Sequence, residues 1–251
     1  MSWEPNNPLP VAPELADDAL HVWCASLDDP PLPFERLRGV LSAGERATAE
    51  RHHFERDKSR SAASRGLLRW LLSSYLGSPP EQVRLRLGPH GKPELAGDQL
   101  GMRIFFNVAH CEDVALYALS AEHELGIDVE RLRAMPDALD MAARFFASTE
   151  AAALSALPAR LRDEGFFVCW TRKEAFVKAQ GSGLSVPLDE FEVGLERFDG
   201  AGSVRIPADA VEAARWSVHD LHPRAGFIGA LAVPDRDVRL QCWSWFSRPT
   251  V

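Results

Sequence analysis

Three acidic residues and one lysine in the second half of the chain have the types and spacing of a metal and phosphate site. Asp128 and Glu130 lie two positions apart among apolar residues, so in a β-strand both carboxylates point to one face. Glu174 and Lys178 follow Trp170 at intervals of four, so on a helix the three side chains form one stripe. Mg²⁺ takes hard oxygen ligands and is completed by substrate phosphate. The pattern predicts a cleft for a divalent cation and a phosphate group.

Each of these features also has an ordinary structural explanation. Two acids at a strand end are commonly solvated, and an i,i+4 Glu–Lys pair is more often a surface salt bridge that contributes about 0.3–0.5 kcal/mol. Trp170, Phe176 and Val177 indicate that part of this helix is buried. Arg172 and Lys173 are expected to keep another side of it polar.

The composition is that of a soluble globular protein. The 251 residues are 46% apolar and 25% charged, which are usual values and allow one large domain or two smaller ones. A formal net charge of −8 argues against a nucleic-acid partner, and an acidic protein partner would need a local basic patch. No stretch approaches the ~20 apolar residues of a membrane span.

The cysteines and the N-terminal segment indicate a cytoplasmic protein. Cys24, Cys111, Cys169 and Cys242 have no paired spacing, which favours reduced thiols over a disulfide framework or a zinc site. The first residues have neither the basic start nor the apolar run of a signal peptide.

The periodicity of apolar residues predicts an α+β architecture in which each half offers helices followed by strands. Ser42 and Glu45 form a capping box, and Gly181 is a natural helix C-cap. Helices are predicted at 42–54, 58–76, 136–146, 149–157 and 163–180. Strands are predicted at 21–26, 83–87, 103–108, 114–119, 126–130, 190–196, 215–220, 227–233 and 238–246. Segment 121–124 is the predicted domain junction.

Weaker candidates lie in the first half of the chain. Segments 91–93 and 107–110 are by default a turn and a strand end, and a lone histidine such as His110 is more often structural than catalytic. On a loop, it would contact phosphate together with backbone N–H groups. The arginines between Arg46 and Arg69 alternate with acids as on a solvated helix, although arginine is well suited to phosphate.

Taken together, these motifs resemble those of the 4′-phosphopantetheinyl transferases, in the longer form built as a pseudo-dimer in one chain. Segment 126–130 is similar to the first signature of the family, and 170–178 with 181–184 is similar to the second. Segment 144–150 is similar to the stretch that joins them, and segments 91–93 and 106–110 are similar to the cofactor-binding turns. The resemblance covers roughly residues 41 to 195.

The resemblance implies transfer of the phosphopantetheine arm from coenzyme A to a serine of an apo acyl or peptidyl carrier protein, with adenosine 3′,5′-bisphosphate as the second product. It implies that Asp128, Glu130 and Glu174 hold Mg²⁺. Glu174 would also be the base for the serine hydroxyl, and Lys178 would neutralise charge on the phosphate. The implied coenzyme A contacts are Arg60 at the 3′-phosphate, Gly91, Lys92 and Pro93 at the adenine, and Asn107, Ala109, His110, Asp128 and Lys178.

Two positions depart from the family pattern. Thr48 stands where some members carry a lysine for the 3′-phosphate, so Arg46 or Arg51 is expected to compensate. Ala109 stands where many members carry a serine, which removes one hydrogen bond to phosphate.

The resemblance also implies two similar α+β subdomains, 1–123 and 124–251, related by pseudo-twofold symmetry, with the active site in the cleft between them. One chain would then supply the whole cleft, and a monomer is expected. Two alternatives stay open at this stage. A Mg²⁺-dependent hydrolase of coenzyme A or nucleotide pyrophosphates would use the same acids, and a non-catalytic carrier-binding module would use the same scaffold.

Overall fold

The computed structural model describes residues 3–5, 13–88, 90–97, 99, 104–181, 186–196, 201–206 and 208–246. Within these ranges the helices are α1 (Phe34–Gly39), α2 (Ala43–Glu50), α3 (Glu55–Leu76), α4 (Ala138–Phe145), α5 (Ser148–Ala156), α6 (Ala159–Gln180) and α7 (Ala210–Arg215). The strands are β1 (Glu4–Pro5), β2 (Ala19–Ser26), β3 (Leu85–Leu87), β4 (Pro93–Leu95), β5 (Phe105–Cys111), β6 (Val114–Ser120), β7 (Gly126–Arg131), β8 (Ala201–Ser203), β9 (Ser217–Leu221), β10 (Phe227–Val233) and β11 (Arg239–Trp245). None of the helices described is both long and apolar enough to cross a membrane.

Two main sheets carry most of the strands. One has the order β1-β11-β2-β6-β5, the other has the order β7-β10-β9-β8, and β3 with β4 forms a small separate ribbon. Strand β11 runs parallel to β2, although it is the last strand of the chain. The predicted division at residue 123 stays a prediction, and the final strand crosses it to join the sheet of the first half.

The two sheets pack face to face, and each carries a long helix on its outer face. Trp23 and Ala25 of β2 pack on the side of α3, whereas Val22 and Cys24 share a core with Ile127 of β7. The outer face of β10 packs in the same way against α6. The resulting layer order is helix, sheet, sheet, helix. Both faces of β2 and β10 are therefore buried, which explains their nearly continuous apolar sequences.

The two halves repeat one order of elements. β2, α3, β5 and β6 are followed by β7, α6, β9 and β10, with sheet orders β2-β6-β5 and β7-β10-β9. The two long helices each have 22 residues and each end at a glycine in the left-handed region, Gly77 (φ 61°) and Gly181 (φ 66°). The predicted α+β class is confirmed.

Some predicted elements were wrong in extent or type. The helix predicted at 42–54 ends at Glu50, and the helix predicted from residue 163 already begins at Ala159. Segment 190–196 is not a strand, and among the described residues it makes only a single bridge from Glu192 to Arg205. Arg103, predicted as the start of a strand, lies outside the described residues, as do Ser182, Gly183 and Leu184 of the second signature.

Buried charges explain the irregular backbone of that segment. The Lys173 ammonium donates to the carbonyls of Leu188 and Phe191 at 2.6 and 2.7 Å and pairs with Glu150 at 2.7 Å. Glu150 in turn accepts from the backbone N–H of Val193 at 2.7 Å. These side chains form hydrogen bonds with backbone groups that a strand would use to pair with its neighbour.

The expectation that Arg172 and Lys173 form a polar surface was wrong, because both are fully buried. The Arg172 guanidinium donates twice to Asp220, at 2.8 and 2.7 Å, and also to the carbonyls of Gly194 and Glu196 at 2.8 Å. Buried charges are tolerated only when their hydrogen bonds are satisfied in this way. The two residues therefore fix the rotation of α6 about its axis.

The closest approach in the second half is the crossing of α6 over β7 at Gly126. A Cβ atom at Gly126 would lie 2.0 Å from the Ala175 carbonyl oxygen and 2.3 Å from the Ala179 nitrogen. Only glycine leaves room for this contact. The crossing sets the distance between the side chains that α6 and β7 carry.

We expect Gly126→Ala to lower the free energy of unfolding by about 2–3 kcal/mol or more, because the added methyl overlaps backbone atoms of α6. Urea unfolding measures the change. Gly44→Ala in α2 is the matched control, since apart from the adjoining backbone of its own helix the nearest atom to its added methyl is Ser42 Oγ at 4.0 Å. That control should be neutral or stabilising by up to about 1 kcal/mol. Equal stabilities for the two variants would contradict the tight crossing.

Candidate active site

Strand β7 presents Asp128 and Glu130 on one face, as the spacing predicts. The alternate residues Ile127 and Val129 are buried in the core between the two sheets, so the carboxylates point to the opposite face, the one that α6 covers. The crossing at Gly126 places the C-terminal turns of α6 next to these acids.

Asp128 is almost fully buried and pairs with the lysine of the predicted helical stripe. Its Oδ1 atom lies 2.5 Å from Lys178 Nζ, and the residue is 7% exposed. Its Oδ2 atom is also buried and accepts no hydrogen bond from the described residues. Burial raises the pKa of the Asp128 carboxyl, and the charge of Lys178 opposes that shift.

Glu174 lies one helical turn before Lys178 and is half-buried. Its burial is the main cause that raises the pKa of Glu174, and the Lys178 ammonium acts in the opposite direction. The negative charges of Asp128 and Glu130 raise this pKa further. The fold thus brings Asp128, Glu130 and Glu174, here called the acidic trio, within electrostatic reach of one another beside Lys178.

Glu130 lies nearer to solvent and has a neighbour that the sequence did not indicate. Its Oε2 atom accepts from the Cys111 thiol at 3.6 Å and lies 3.5 Å from the Arg133 guanidinium. Burial is the main cause that raises the pKa of Cys111 to about 11, so the thiol stays protonated at neutral pH. Cys111 ends β5, and the packing of β5 against β7 brings it beside Glu130.

The acidic trio fits a divalent cation in its chemistry. The unpartnered Asp128 Oδ2 atom and the mutual repulsion of the carboxylates are both relieved by a positive ion bound to oxygen. Within the described ranges, however, no three His, Cys, Asp or Glu side chains lie in a group that could hold a metal ion by themselves. Mg²⁺ is commonly held by one or two carboxylates together with waters and substrate phosphates. The donor set therefore suits a cation that arrives with its phosphate ligand.

A cavity of about 900 Å³, here called the basic pocket, lies in the first half of the molecule. Its walls come from α2, α3, β3 and the start of β4, and from Val108 and His110 of β5. The expectation that His110 lies on a loop was therefore wrong. Such a volume falls in the range of cofactor sites. Its basic lining residues are Arg51, Arg65, Arg69, Arg84, Arg86 and His110.

The basic pocket is electrostatically linked to the acidic site through His110. Desolvation is the largest cause that lowers the pKa of His110, followed by the charge of Lys178. His52, Arg65 and Arg60 lower this pKa further. The imidazole therefore lies among cations, in surroundings that would favour an anion.

The lining of the basic pocket distinguishes between Arg46 and Arg51, the two arginines expected to compensate for Thr48. Thr48 and Arg51 both line the pocket, whereas Arg46 is not among its lining residues and donates to the carbonyl of Leu41. Arg51 is thus the better placed of the two. Arg84 and Arg86 were missed as site residues, although the alternation of basic and apolar residues at 83–87 could have indicated them.

Several residues that were predicted to contact the cofactor have side chains that contact other groups of the protein. Arg60 donates to both oxygens of Asp28, at 2.6 and 2.5 Å. The Asn107 side chain accepts from the Ile127 N–H at 2.9 Å and joins the edge strands of the two sheets. The methyl group of Ala109 packs in the core between the sheets. Their roles toward a cofactor stay predictions.

The predicted adenine turn is a tight reversal between β3 and β4. Gly91 has a φ of 81°, and its N–H donates to the carbonyl of Gly88 at 3.0 Å. Pro93 lines the basic pocket. The Lys92 ammonium points away from the turn and donates to Glu124 at 2.6 Å.

Comparison with known proteins identifies the family of this chain. Residues 124–232 match the family model described as the 4′-phosphopantetheinyl transferase superfamily, and residues 30–123 match the model for the N-terminal part of 4′-phosphopantetheinyl transferase. The chain is 36% identical over 227 residues to the 4′-phosphopantetheinyl transferase HetI of Nostoc sp., which covers 90% of this chain and 92% of that protein.

More distant relatives carry related names. The chain is 30% identical over 173 residues to the 4′-phosphopantetheinyl transferase Sfp of Bacillus subtilis, covering 69% of this chain and 74% of that protein. It is 28% identical over 206 residues to the L-aminoadipate-semialdehyde dehydrogenase-phosphopantetheinyl transferase of Rattus norvegicus, covering 76% and 66%. This chain belongs to the 4′-phosphopantetheinyl transferase superfamily.

Proposed function

We propose that this chain transfers the 4′-phosphopantetheine group from coenzyme A to a serine of an apo acyl or peptidyl carrier protein and releases adenosine 3′,5′-bisphosphate. The observation that carries the proposal is the acidic trio beside Lys178, linked electrostatically through His110 to the basic pocket. Together they offer an acidic metal site and a cationic site, which suits a nucleotide that carries both a diphosphate and a 3′-phosphate.

The basic pocket is the proposed site of the adenosine end. Arg51, Arg65 and Arg84 supply guanidinium groups suited to the 3′-phosphate, with Arg60 nearby. The backbone of the turn at 91–93 borders the adenine. His110, at the edge of the pocket nearest Lys178, would contact phosphate.

Asp128, Glu130 and Glu174 are the residues that would hold Mg²⁺. When bound, Mg²⁺ neutralises charge on the diphosphate and makes its phosphorus more electrophilic. The buried Oδ2 atom of Asp128, which accepts no hydrogen bond from the described residues, supports this assignment.

Glu174 is the proposed base. Its pKa is raised by burial and by the neighbouring carboxylates, which makes it a better proton acceptor than an exposed glutamate. It takes the proton of the carrier serine, directly or through a water, as the serine oxygen forms a bond to the phosphorus next to pantetheine. The bond from that phosphorus to the bridging oxygen breaks, and Lys178 neutralises charge that builds on this oxygen.

The repeated order of elements supports a pseudo-twofold relation between two subdomains, 1–123 and 124–251, with the active site in the cleft between them. The first contributes the basic pocket, and the second contributes the acidic trio. One chain then supplies both sides of the cleft, so the protein is proposed to act as a monomer.

Glu174→Gln should bind coenzyme A nearly as well as the wild type but transfer at least about 100-fold more slowly, because general-base catalysis typically contributes that much. Intact-protein mass spectrometry of several apo carriers, incubated with coenzyme A and Mg²⁺, measures the transfer. Glu190→Gln, at an exposed loop position, is the control and should keep wild-type turnover. Near-normal transfer by Glu174→Gln would show that the base is another group.

The same assay separates the transferase from a hydrolase that uses the same acids. Loss of coenzyme A without a gain in the mass of any carrier would favour Mg²⁺-dependent hydrolysis of the pyrophosphate instead.

Arg51→Gln should raise the KM for coenzyme A about five- to tenfold and leave the KM for 3′-dephospho-coenzyme A nearly unchanged, because only the former carries the phosphate. Steady-state kinetics with both substrates measures the difference. Arg56→Gln is the control, since Arg56 is exposed and does not line the basic pocket. Equal increases in KM for the two substrates would show that Arg51 does not contact the 3′-phosphate.

Adenosine 3′,5′-bisphosphate should raise the pKa of His110, because a phosphate anion favours the imidazolium over the neutral ring. In the protein without nucleotide, the pKa of His110 lies below the ordinary value of 6.5. The complex then takes up a proton between the free and bound pKa values, so affinity should increase as pH falls through that interval.

Histidine NMR titrations with and without the nucleotide measure this shift, and the spectrum of His110→Asn assigns the resonance. His219, whose pKa is lowered by burial in β9, should not respond. A His110 pKa that stays constant at saturating nucleotide would exclude phosphate contact.

A further inference from the structure

We infer that Lys92 is a positioning residue for the transfer reaction, holding the catalytic helix and the metal-binding strand at their working distance. The inference rests on the proposed function. The Lys92 ammonium makes three contacts. It donates to the Glu124 carboxylate at 2.6 Å, to the Leu125 carbonyl at 3.0 Å and to the Lys178 carbonyl at 3.4 Å. The side chain of Lys92 is only 14% exposed.

These contacts account for all the hydrogen bonds that the ammonium can donate. A lysine ammonium has three N–H donors and no acceptor, and here each has a protein acceptor. A phosphate oxygen would have to displace one of them. The Lys92 side chain thus acts on protein groups, and the backbone of the turn at 91–93 is left to face the nucleotide.

One of the acceptors belongs to the C-terminal end of the catalytic helix. The last four carbonyls of a helix lack partners within the helix, and this end carries partial negative charge. Lys178 is the third residue from the end of α6, and its carbonyl accepts a hydrogen bond of 3.3 Å from the Gly181 N–H. The Lys92 ammonium adds a charged cap from a distant part of the chain.

The other two acceptors lie immediately before the metal-binding strand. Leu125 precedes Gly126, where the Lys178 carbonyl carbon would lie 2.8 Å from an added Cβ atom. Lys92 therefore contacts α6 and β7 at the point of their closest approach. A shift of either element there changes the 2.5 Å contact between Asp128 and Lys178.

The backbone of Lys92 belongs to the turn next to the basic pocket. Its carbonyl accepts from the Gly88 N–H at 2.8 Å, and the next residue, Pro93, lines the pocket. One residue thus joins the turn assigned to the adenine with the two elements that hold the reacting diphosphate. We expect Lys92 to affect the chemical step more than cofactor binding.

The test compares Lys92→Met, which keeps the length of the side chain and removes its charge, with the wild type. The expected result is a fall in kcat on the order of tenfold or more, with a change in the KM for coenzyme A of less than about threefold. Lys92→Arg should recover part of the lost kcat. Lys58→Met is the control, since Lys58 pairs only with Glu50 and Glu55 among the described residues. It should leave both constants unchanged.

A second measurement does not depend on activity. Hydrogen exchange read by mass spectrometry should be faster in Lys92→Met for peptides covering 126–130 and 176–181, and unchanged for peptides of α3. If the wild type transfers nothing to any carrier, the proposed function fails, and this exchange pattern alone decides whether Lys92 holds the crossing.

Three outcomes would overturn the inference. A higher KM with unchanged kcat would make Lys92 a direct cofactor contact. Unchanged kcat and KM together with a lower melting temperature would make its role merely structural. Unchanged exchange at 126–130 and 176–181 would show that the crossing does not need it. If Lys92→Met does not fold, Glu124→Gln, which removes one acceptor, decides by the same readouts with a smaller expected fall in kcat.

Discussion

The close crossing of α6 over β7 at Gly126 is the constraint on which the site depends. The helix backbone approaches the strand so closely that no side chain fits between them. This contact sets Lys178 against Asp128 at 2.5 Å and brings Glu174 within reach of both strand carboxylates. A wider separation would leave the same residues as independent charges on two surfaces.

The remainder of the molecule keeps this crossing in place from several sides. The core between the two sheets fixes β7 through Ile127 and Val129, and Asn107 ties the edge of β7 that is not paired with β10 to the neighbouring sheet. The buried guanidinium of Arg172 and the buried ammonium of Lys173 fix α6 against the segment that follows it. Burying these two charges is costly. Only the orientation of α6 in which every N–H donor of both side chains is satisfied is therefore stable.

The electrostatics of the site follow from this packing. The chain carries a net charge of −8, yet the basic pocket gathers arginines from α3, from β3 and its preceding residue, and from the residue that follows α2. The acids on β7 and α6 are held in an environment that raises the pKa of Asp128 and of Glu174. A cation would relieve the repulsion among these acids, and an anion would relieve the repulsion among the arginines of the basic pocket.

The sequence alone determined the α+β class, the strand that carries Asp128 and Glu130 on one face, and the helical stripe of Glu174 and Lys178, because these follow from periodicities of two and 3.6 residues. Only the tertiary structure decided that Arg172 and Lys173 are buried, that segment 190–196 is no strand, and that Cys111 and Arg84 adjoin the site. It also decided that the Lys92 ammonium binds protein groups at the helix–strand crossing. Those outcomes depend on partners tens of residues away along the chain, and local spacing carries no information about such partners.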